Sequence, residues 1–299
     1  ERTKNTWLFL MSDKEDWKNS GEISRKAREY AEEICAAGMK HIDLADKIEK
    51  KIIHLGGKPS FPVDVSIDSM AAHQTPNVGD EKVLHKGEVV KLDIGAHVNG
   101  CVTDTAITVL LGALEWKKLK QAVDESLKAA IEQAVPGNKI RNIGKAITDA
   151  INSHGYNAVA NLCGHGIGKW IVHDAPTIPN YDNGDDTKLV QGQKIAIEPF
   201  ATNGIGAVKD GKPDGVYRLL ARKPVRLDSV RKVLDFIEKE YQTLPFSPRW
   251  LTHLSNYQFA LRILEQEGVI KQYTELPEKS GGMVTQAEKS VSVGEGVLT

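Results

Sequence analysis

The sequence is poor in the features that mark several common classes of protein. Its three cysteines, Cys35, Cys101 and Cys163, are odd in number and have no ligand-like spacing, so a reducing, cytoplasmic compartment is expected. The net charge of −1 at pH 7 gives no reason to expect wholesale binding of nucleic acid or a membrane surface. No apolar run approaches the roughly 20 residues that a membrane-spanning helix needs. We expect a globular protein that works as a monomer.

The composition is that of an ordinary globular chain. With 299 residues, of which 40% are hydrophobic and 26% charged, it is long enough for one large or two modest domains. The N-terminal apolar segment TWLFLM is too short for the core of a signal peptide, and a polar, helix-initiating stretch follows Met11. We therefore expect residues 1–10 to be a leader, a tag or a misassigned start.

A β-hairpin predicted over residues 88–110 organises the rest of the sequence. Two β-rich segments flank Asn99-Gly100, the strongest short signal for a two-residue hairpin turn. With that turn, residues whose numbers sum to 199 pair across the ladder, so Asp93 lies opposite Ala106. Asp104 is then the diagonal neighbour of Asp93 on the same face, at a backbone distance of roughly 7–8 Å. Two carboxylates placed in this way can hold two divalent ions about 3.5–4 Å apart.

The hairpin alone leaves two interpretations open. Asp93 and Asp104 could be ordinary carboxylates that face water, and Lys91, on the same face as Asp93, could pair with it. Against this, Asp is depleted in strands, and Asp93 lies within the otherwise apolar run VVKLDIGA. The rest of the sequence has to decide between a structural and a metal-binding role.

Two pairs of amphipathic helices are predicted along the chain. Segments 21–36 and 42–55 form the first pair, and segments 115–135 and 139–154 form the second. Six positions are matched by a similar residue 99 positions later: Gly38 and Gly137, Lys40 and Lys139, Leu44 and Ile143, Ile48 and Ile147, Ile52 and Ile151, Gly56 and Gly155. The repeat predicts an α+β fold with two halves related by a pseudo-twofold axis, a curved antiparallel sheet and helices packed outside it.

Residues 217–274 differ in character from the rest. They contain two predicted helices, about 228–241 and 256–267, separated by the Pro-rich corner LPFSPRW. We predict a small helical, winged-helix-like insertion here, between residues 11–216 and 275–299 of the main domain. Its charge is only mildly positive, so a structural insertion is expected and DNA binding is not.

Three further side chains are candidate metal ligands. His165 lies in the loop GHGIG, where missing side chains allow close approach of a ligand or another backbone, although a lone loop histidine is usually structural. Glu198, in the apolar strand IAIEPF, and Glu288, on the apolar final strand, need a cation if they are buried. With Asp93 and Asp104 they make an oxygen-rich set with one nitrogen. Such a set suits Mn, Fe or Co, with Zn as a further fit, rather than thiolate-bound structural Zn.

Two other histidines are candidates for orienting a substrate. His73 lies in SMAAHQTP and His173 lies in WIVHDAP. Either of them alone could also be merely structural.

Together these motifs make residues 20–299 resemble a type II methionine aminopeptidase, a metallopeptidase with the pita-bread fold. The matching segments are FPVDVSIDSMAAHQTPN, KLDIGAHVNGCVTDTAITV, NLCGHGIG with the following VH, AIEPFAT and VTQAEKSVSV. Residues 217–274 correspond to the insertion that distinguishes type II members. The chain lacks the long charged N-terminal extension of eukaryotic members, so the archaeal form is the nearer likeness.

The resemblance implies a dinuclear metal site. Its ligands to two divalent ions (Co, Mn, Fe or Zn) would be Asp93, Asp104, His165, Glu198 and Glu288, with Asp104 and Glu288 bridging both ions. Glu198 would also transfer the proton, as general base and then general acid.

The resemblance also implies the reaction and the substrate. The enzyme would remove the initiator methionine of nascent polypeptides when the second residue is small, with the ribosome as a partner. His73 and His173 would bind the substrate and stabilise the tetrahedral intermediate. Phe61 would form a wall of the methionine pocket.

The sequence departs from the family pattern at four places, none of them a ligand position. GHG replaces GHK or GHS, HDAP stands where HAG is common, Lys289 replaces a histidine, and Asn99 replaces an aspartate.

Two alternative functions remain to be weighed. A proline-specific dipeptidase of the same fold carries a separate N-terminal domain, for which the residues before Asp93 leave no room. A non-catalytic pita-bread protein that binds the ribosome or RNA would have lost metal ligands, whereas all five remain here.

Overall fold

The structure is a computed structural model that describes the backbone of residues 2–299 and the side chains of residues 13–299. The leader expected at residues 1–10 lies outside the fully described part of the chain. Among the residues whose backbone is described there are six α-helices: α1 (Arg2–Ile34), α2 (His41–His54), α3 (Lys117–Glu132), α4 (Ile140–Ser153), α5 (Asp228–Glu240) and α6 (Tyr257–Gln266). No helix among the described residues is long and apolar enough to cross a membrane.

Sixteen β-strands among the described residues form five sheets, and paired strands are antiparallel. They are β1 (Lys58–Pro59), β2 (Asp64–Ile67), β3 (Met70–Ala72), β4 (Val89–Val98), β5 (Cys101–Leu110), β6 (Asn157–Ala158), β7 (Cys163–Gly168), β8 (Ile171–Pro179), β9 (Lys194–Ile197), β10 (Phe200–Thr202), β11 (Pro213–Leu219), β12 (Ile270–Thr274), β13 (Leu276–Pro277), β14 (Val284–Gln286), β15 (Lys289–Ser292) and β16 (Gly296–Val297). In the largest sheet the order is β16-β15-β9-β7-β8. In the next, β4 pairs with β5 along one edge and with β1 and β2 along the other. The smaller sheets are β14-β10-β6, β13-β3 and β11-β12.

The central hairpin has the predicted register. Asp93 pairs with Ala106, and Asp104 pairs with Gly95, two positions further along the ladder. Asn99 and Gly100 both have positive φ, 50° and 87°, as a two-residue type I′ turn requires. The two aspartates therefore share one face of the hairpin.

The predicted duplication is confirmed by the second helix of each half. α2 and α4 each contain 14 residues and begin 99 positions apart. Before each helix an extended lysine forms an isolated antiparallel bridge to a residue more than 40 positions along the chain, Lys40 to Val83 and Lys139 to Lys188. The apolar faces of these helices pack into separate clusters, one per half. The predicted α+β class with two helix-bearing halves is confirmed.

Helix α1 begins well before the predicted start at residue 21. The hydrophobic periodicity of the sequence indicates only the part of α1 that packs on the apolar core, through residues such as Ala27 and Ala31. One turn earlier the contact is polar, because the hydroxyls of Ser20 and Ser24 lie 2.8 and 2.9 Å from the Thr103 hydroxyl of β5. Hydrophobic periodicity cannot detect such a contact.

The segment predicted as an insertion contains a two-stranded ribbon, β11–β12, as well as helices α5 and α6. Its apolar side chains form their own cluster around Phe246 and Leu264. A buried ion pair ties it to the first half, since the Arg249 guanidinium lies 2.6 Å from the Glu49 carboxylate of α2. β11 begins at Pro213, four residues before the predicted boundary.

The sequence predicts two continuous strands, one carrying Glu198 and one carrying Glu288. In the structure each of them is interrupted at the glutamate. Glu198 and Pro199 lie between β9 and β10, because proline has no N–H to continue a ladder. Glu288 lies in the matching break between β14 and β15. Ile197 pairs with Lys289 and Phe200 with Gln286, so the two glutamates face each other across one seam between sheets.

Candidate metal centre

A cavity of about 230 Å³ lies where the central hairpin meets this seam. It is lined by all eight residues that the sequence singled out: Phe61, His73, Asp93, Asp104, His165, His173, Glu198 and Glu288. They come from separate strands and loops along the chain, so only the tertiary fold brings them together.

Hydrogen bonds of backbone and hydroxyl groups connect the central hairpin, β4–β5, to the seam at Glu288 and Ser290. The Glu288 N–H donates to the Ala106 carbonyl at 3.1 Å, and the Thr105 hydroxyl donates to the Glu288 carbonyl at 2.9 Å. The Asp104 N–H donates to the Ser290 hydroxyl at 2.8 Å. These contacts hold Asp104 and Glu288 side by side with little freedom to move apart.

Three candidate ligands form a tight cluster. One donor atom each of Asp104, His165 and Glu288 lies within 4.8 Å of the other two, and all three residues are buried. Nε2 of His165 is 3.7 Å from Asp104 Oδ2 and 3.6 Å from Glu198 Oε1. Such spacings are too long for direct hydrogen bonds and suit donors that share a cation.

Several carboxylate oxygens at this cluster have no partner within the part of the chain that the structure describes. Asp93 Oδ1, Asp104 Oδ1 and both carboxylate oxygens of Glu288 are buried there without a hydrogen bond. Lys91, the alternative partner for Asp93, instead donates to the Asp68 carbonyl at 2.7 Å. Because burying a carboxylate without a partner is costly, these atoms fit a site for divalent cations.

His165 is oriented for ligation by its own loop. Its Nδ1–H donates to the Gly166 carbonyl at 2.9 Å, which leaves the Nε2 lone pair facing the carboxylates. The flanking glycines are required by packing, since a Cβ on Gly164 or Gly166 would lie 2.2 or 2.0 Å from a neighbouring carbonyl oxygen. The His173 ring lies 4.5 Å away, edge to face.

The pKa values reflect this crowding of buried acids. Burial, reinforced by the charge of Asp64, raises the pKa of Asp93 to about 7. Burial and the neighbouring carboxylates raise the pKa values of Asp104, Glu198 and Glu288 well above the ordinary range. Burial, followed by the nearby His165, lowers the pKa of His173 to about 3, so its imidazole is neutral. A bound cation would displace protons from the carboxyls.

Two residues that line the cavity, Asp64 and Asp214, and one beside it, Gln286, were missed from the sequence. Gln286 donates its amide to Asp93 Oδ2 at 3.0 Å, and Asp64 pairs with Asp93 across β2 and β4. Asp214 also lines the cavity, and burial raises its pKa to about 8. Asp64 could have been found in the same way as Asp93, because it is an acid inside an apolar segment, FPVDV. The sequence around Gln286 and Asp214 contains no comparable indication.

The two halves contribute acids from equivalent positions. Val83 and Lys188 are the residues that pair with the lysine before the second helix of each half. Asp93 follows Val83 by ten positions, and Glu198 follows Lys188 by ten. The pseudo-twofold relation thus places one half's Asp93 where the other half has Glu198.

The buried carboxyls of the metal-free protein are expected to favour folding less as the pH rises towards neutrality. A carboxyl whose pKa is higher in the folded state than in the unfolded state favours folding at acid pH, and that advantage is lost as the pH rises. For Asp93 the window runs from the ordinary pKa of 3.8 to about 7. Over this range the raised pKa of Asp93 works against folding as the pH rises, whereas His173, whose pKa is lowered to about 3, works in favour of it. The carboxyl contribution is therefore measured as a difference: the Tm of chelated Glu288→Gln should fall less, or rise more, with pH than that of chelated wild type, by several degrees at roughly 2–4 °C per kcal/mol. Identical pH dependences for the two proteins would contradict the assignment.

The fold and the cluster together define a metal-dependent hydrolase of the pita-bread type. The chain belongs to metallopeptidase family M24, whose profile matches residues 15–231.

Archaeal relatives of this chain carry the name methionine aminopeptidase. The protein of Archaeoglobus fulgidus is 42% identical over 280 residues, which cover 94% of this chain and 95% of the relative. That of Pyrococcus horikoshii is 40% identical over 284 residues, covering 94% and 96% of the two chains. The resemblance predicted from the sequence motifs is confirmed.

Solved structures share the fold. Methionine aminopeptidase from Thermotoga maritima has a TM-score of 0.72 at 22% identity and covers 96% of each chain. A thermophilic Arx1 has a TM-score of 0.80 at 17% identity, covering 94% of this chain and 88% of the other. At these identities the likeness shows the fold alone.

Proposed function

We propose that this protein is an aminopeptidase that uses divalent metal ions to remove the N-terminal methionine from peptides and nascent proteins. The observation that carries the proposal is the cluster of carboxylates with unpartnered buried oxygens around His165, inside a cavity. The names of the archaeal relatives supply the substrate class.

Five side chains are proposed to hold two ions. Asp104 and Glu288, which the hairpin and seam hold together, would bridge them; Asp93 would complete one site, and His165 and Glu198 the other. Divalent ions held by these residues would supply an acidified water molecule and polarisation of the scissile carbonyl. Co, Mn, Fe and Zn all suit this donor set. Gln286 would keep Asp93 oriented through its amide hydrogen bond.

Proton transfer is proposed for Glu198. Burial and the charge of Asp93 raise its pKa, which favours proton uptake, and its side chain remains partly accessible at 15%. A carboxylate in this position can accept a proton from water and pass it to the leaving nitrogen.

The two histidines are proposed to have different tasks. The neutral His173 lies next to His165 and would donate an N–H to the substrate carbonyl, where negative charge develops. His73 directs Nδ1 at the Thr274 carbonyl, 3.1 Å away, so its other nitrogen is free to accept an N–H of the peptide. Phe61 would form the wall of the methionine pocket, together with Phe200 and Tyr273.

The domain division and partners are proposals of the same kind. We assign residues 11–216 and 275–299 to the catalytic domain and residues 217–274 to a type II insertion, whose separate apolar cluster supports the division. Ribosome association, a monomeric state and a cytoplasmic location stay predictions from the sequence.

The proposed function is tested with matched tripeptides. Metal-loaded protein should release methionine from Met-Ala-Ser and cleave Met-Lys-Ser at least 10²-fold more slowly, because a long second side chain would collide with the cavity wall near His73. Chelation should abolish turnover, and adding back Co, Mn, Fe or Zn should restore it. Equal rates for the two peptides would overturn the small-residue preference. Absence of turnover with every metal would favour a non-catalytic binding protein.

A further inference from the structure

Asp64 is a buried acid in the cavity wall to which the proposed reaction gives no task. It lies on β2, directly opposite Asp93 on β4, and is 7% exposed. Among the described residues, no lysine or arginine forms an ion pair with it. Its two oxygens accept instead from the same short segment: Oδ2 from the His73 backbone N–H at 3.1 Å, and Oδ1 from the Thr75 hydroxyl.

The backbone that Asp64 holds is unfavourable by itself. His73 has a φ of 58°, in the left-handed region that a residue with a Cβ rarely adopts. Two further contacts fix the residue: Nδ1 lies 3.1 Å from the Thr274 carbonyl, and the ring meets Tyr273 edge to face at 5.4 Å. Without the carboxylate, the N–H of His73 would lose its acceptor and the segment could relax to negative φ.

We infer that Asp64 is a positioning residue, which fixes His73 relative to the metal-binding face of the central hairpin. A carboxylate accepts such hydrogen bonds more strongly than a neutral group does. Because β2 and β4 are adjacent strands, Asp64 connects the His73 segment directly to the strand that carries Asp93. Asp64 itself need not touch the substrate. This inference rests on the proposed function, since it assumes that His73 contacts the peptide.

A double-mutant cycle separates this role from a general structural one. Asp64→Ala should lower kcat/KM for Met-Ala-Ser by roughly 10²-fold, because misplacement of a substrate-contacting group by about 1 Å costs that much. In a His73→Ala background the same substitution should cost less than about threefold, since residues that act as a unit are not additive. Asp64→Asn keeps a carbonyl acceptor and should recover activity to within about tenfold of wild type.

Asp68→Asn provides the matched control. Asp68 lies just after β2 and accepts the Val89 N–H at 2.9 Å, so it supports the same strand pair without contacting His73. It should alter Tm but leave kcat/KM nearly unchanged. Metal content must be measured for every variant, because Asp64 lies next to a proposed ligand.

The outcomes distinguish the inference from the proposed function. If Asp64→Ala costs the same factor with and without His73, or loses metal, Asp64 acts elsewhere and the positioning role is wrong. If the wild type itself does not cleave Met-Ala-Ser, the proposed function fails. The same cycle, read out as Met-Ala-Ser affinity by calorimetry, then decides the positioning role: additive losses, or no binding by the wild type, overturn it, and non-additive losses support it.

Discussion

Glu198→Gln is expected to reduce kcat by roughly 10²–10⁴-fold with the fold and peptide binding retained. The amide keeps the size of the side chain and one oxygen that can bind a metal ion, but it cannot take a proton from water. Phe61, His73 and His173 remain in place, so KM should change far less than kcat. Steady-state kinetics on Met-Ala-Ser give both parameters.

The comparison needs two controls, because loss of an ion would produce the same fall in rate. Metal content must match wild type before the rates are compared. Glu278→Gln changes another buried glutamate, whose carboxylate accepts hydrogen bonds from Ser280 and Gly282 outside the cavity. It should lower Tm and leave kcat almost unaltered. A fully metal-loaded Glu198→Gln enzyme within a few-fold of wild type would show that the proton moves by another route.

Asp104→Ala is expected to abolish metal binding and turnover together. Asp104 belongs to the tight cluster with His165 and Glu288, and as the proposed bridge it serves both ions. Metal addition should therefore no longer raise Tm, because an ion that does not bind the folded state cannot stabilise it. Elemental analysis and thermal unfolding with and without metal measure both effects.

Asp214→Asn is the matched control for this variant. Asp214 is a buried acid of the same cavity but lies outside the donor cluster. It should retain both ions and the rise in Tm on metal addition. Two ions tightly bound to Asp104→Ala would contradict the bridging assignment, whatever the activity.

The sequence predicts those parts of the fold that depend on residues close together along the chain, namely the central hairpin and the amphipathic helices. The Asn99-Gly100 turn fixed the hairpin register to the residue, because only a few turn types join adjacent strands with two residues. Helices α2 and α4 were predicted from their amphipathic periodicity and from the glycines that end them. These glycines, Gly56 and Gly155, have positive φ. The hairpin register also places Asp93 and Asp104 on one face, so this half of the candidate metal centre follows from the turn residues alone.

The seam between the sheets depends on contacts that sequence periodicity does not contain. Glu198 and Glu288 were expected inside continuous strands, yet both lie at breaks that face each other across 90 residues of chain. The role of Gln286 could not be predicted either, since nothing in VTQAE indicates that its amide reaches Asp93. Long-range strand pairing sets both features, and a single-sequence pattern reports only the nearest neighbours along the chain.

The equivalence of Asp93 and Glu198 has a consequence for the symmetry of the cavity. One half presents a short aspartate from the unbroken strand β4, and the other presents a longer glutamate from the proline break between β9 and β10. The two halves therefore offer the same functional group with different reach. Asp93 is also held by the Gln286 amide, so the proton-transfer role proposed for Glu198 is one that its counterpart is not placed to share.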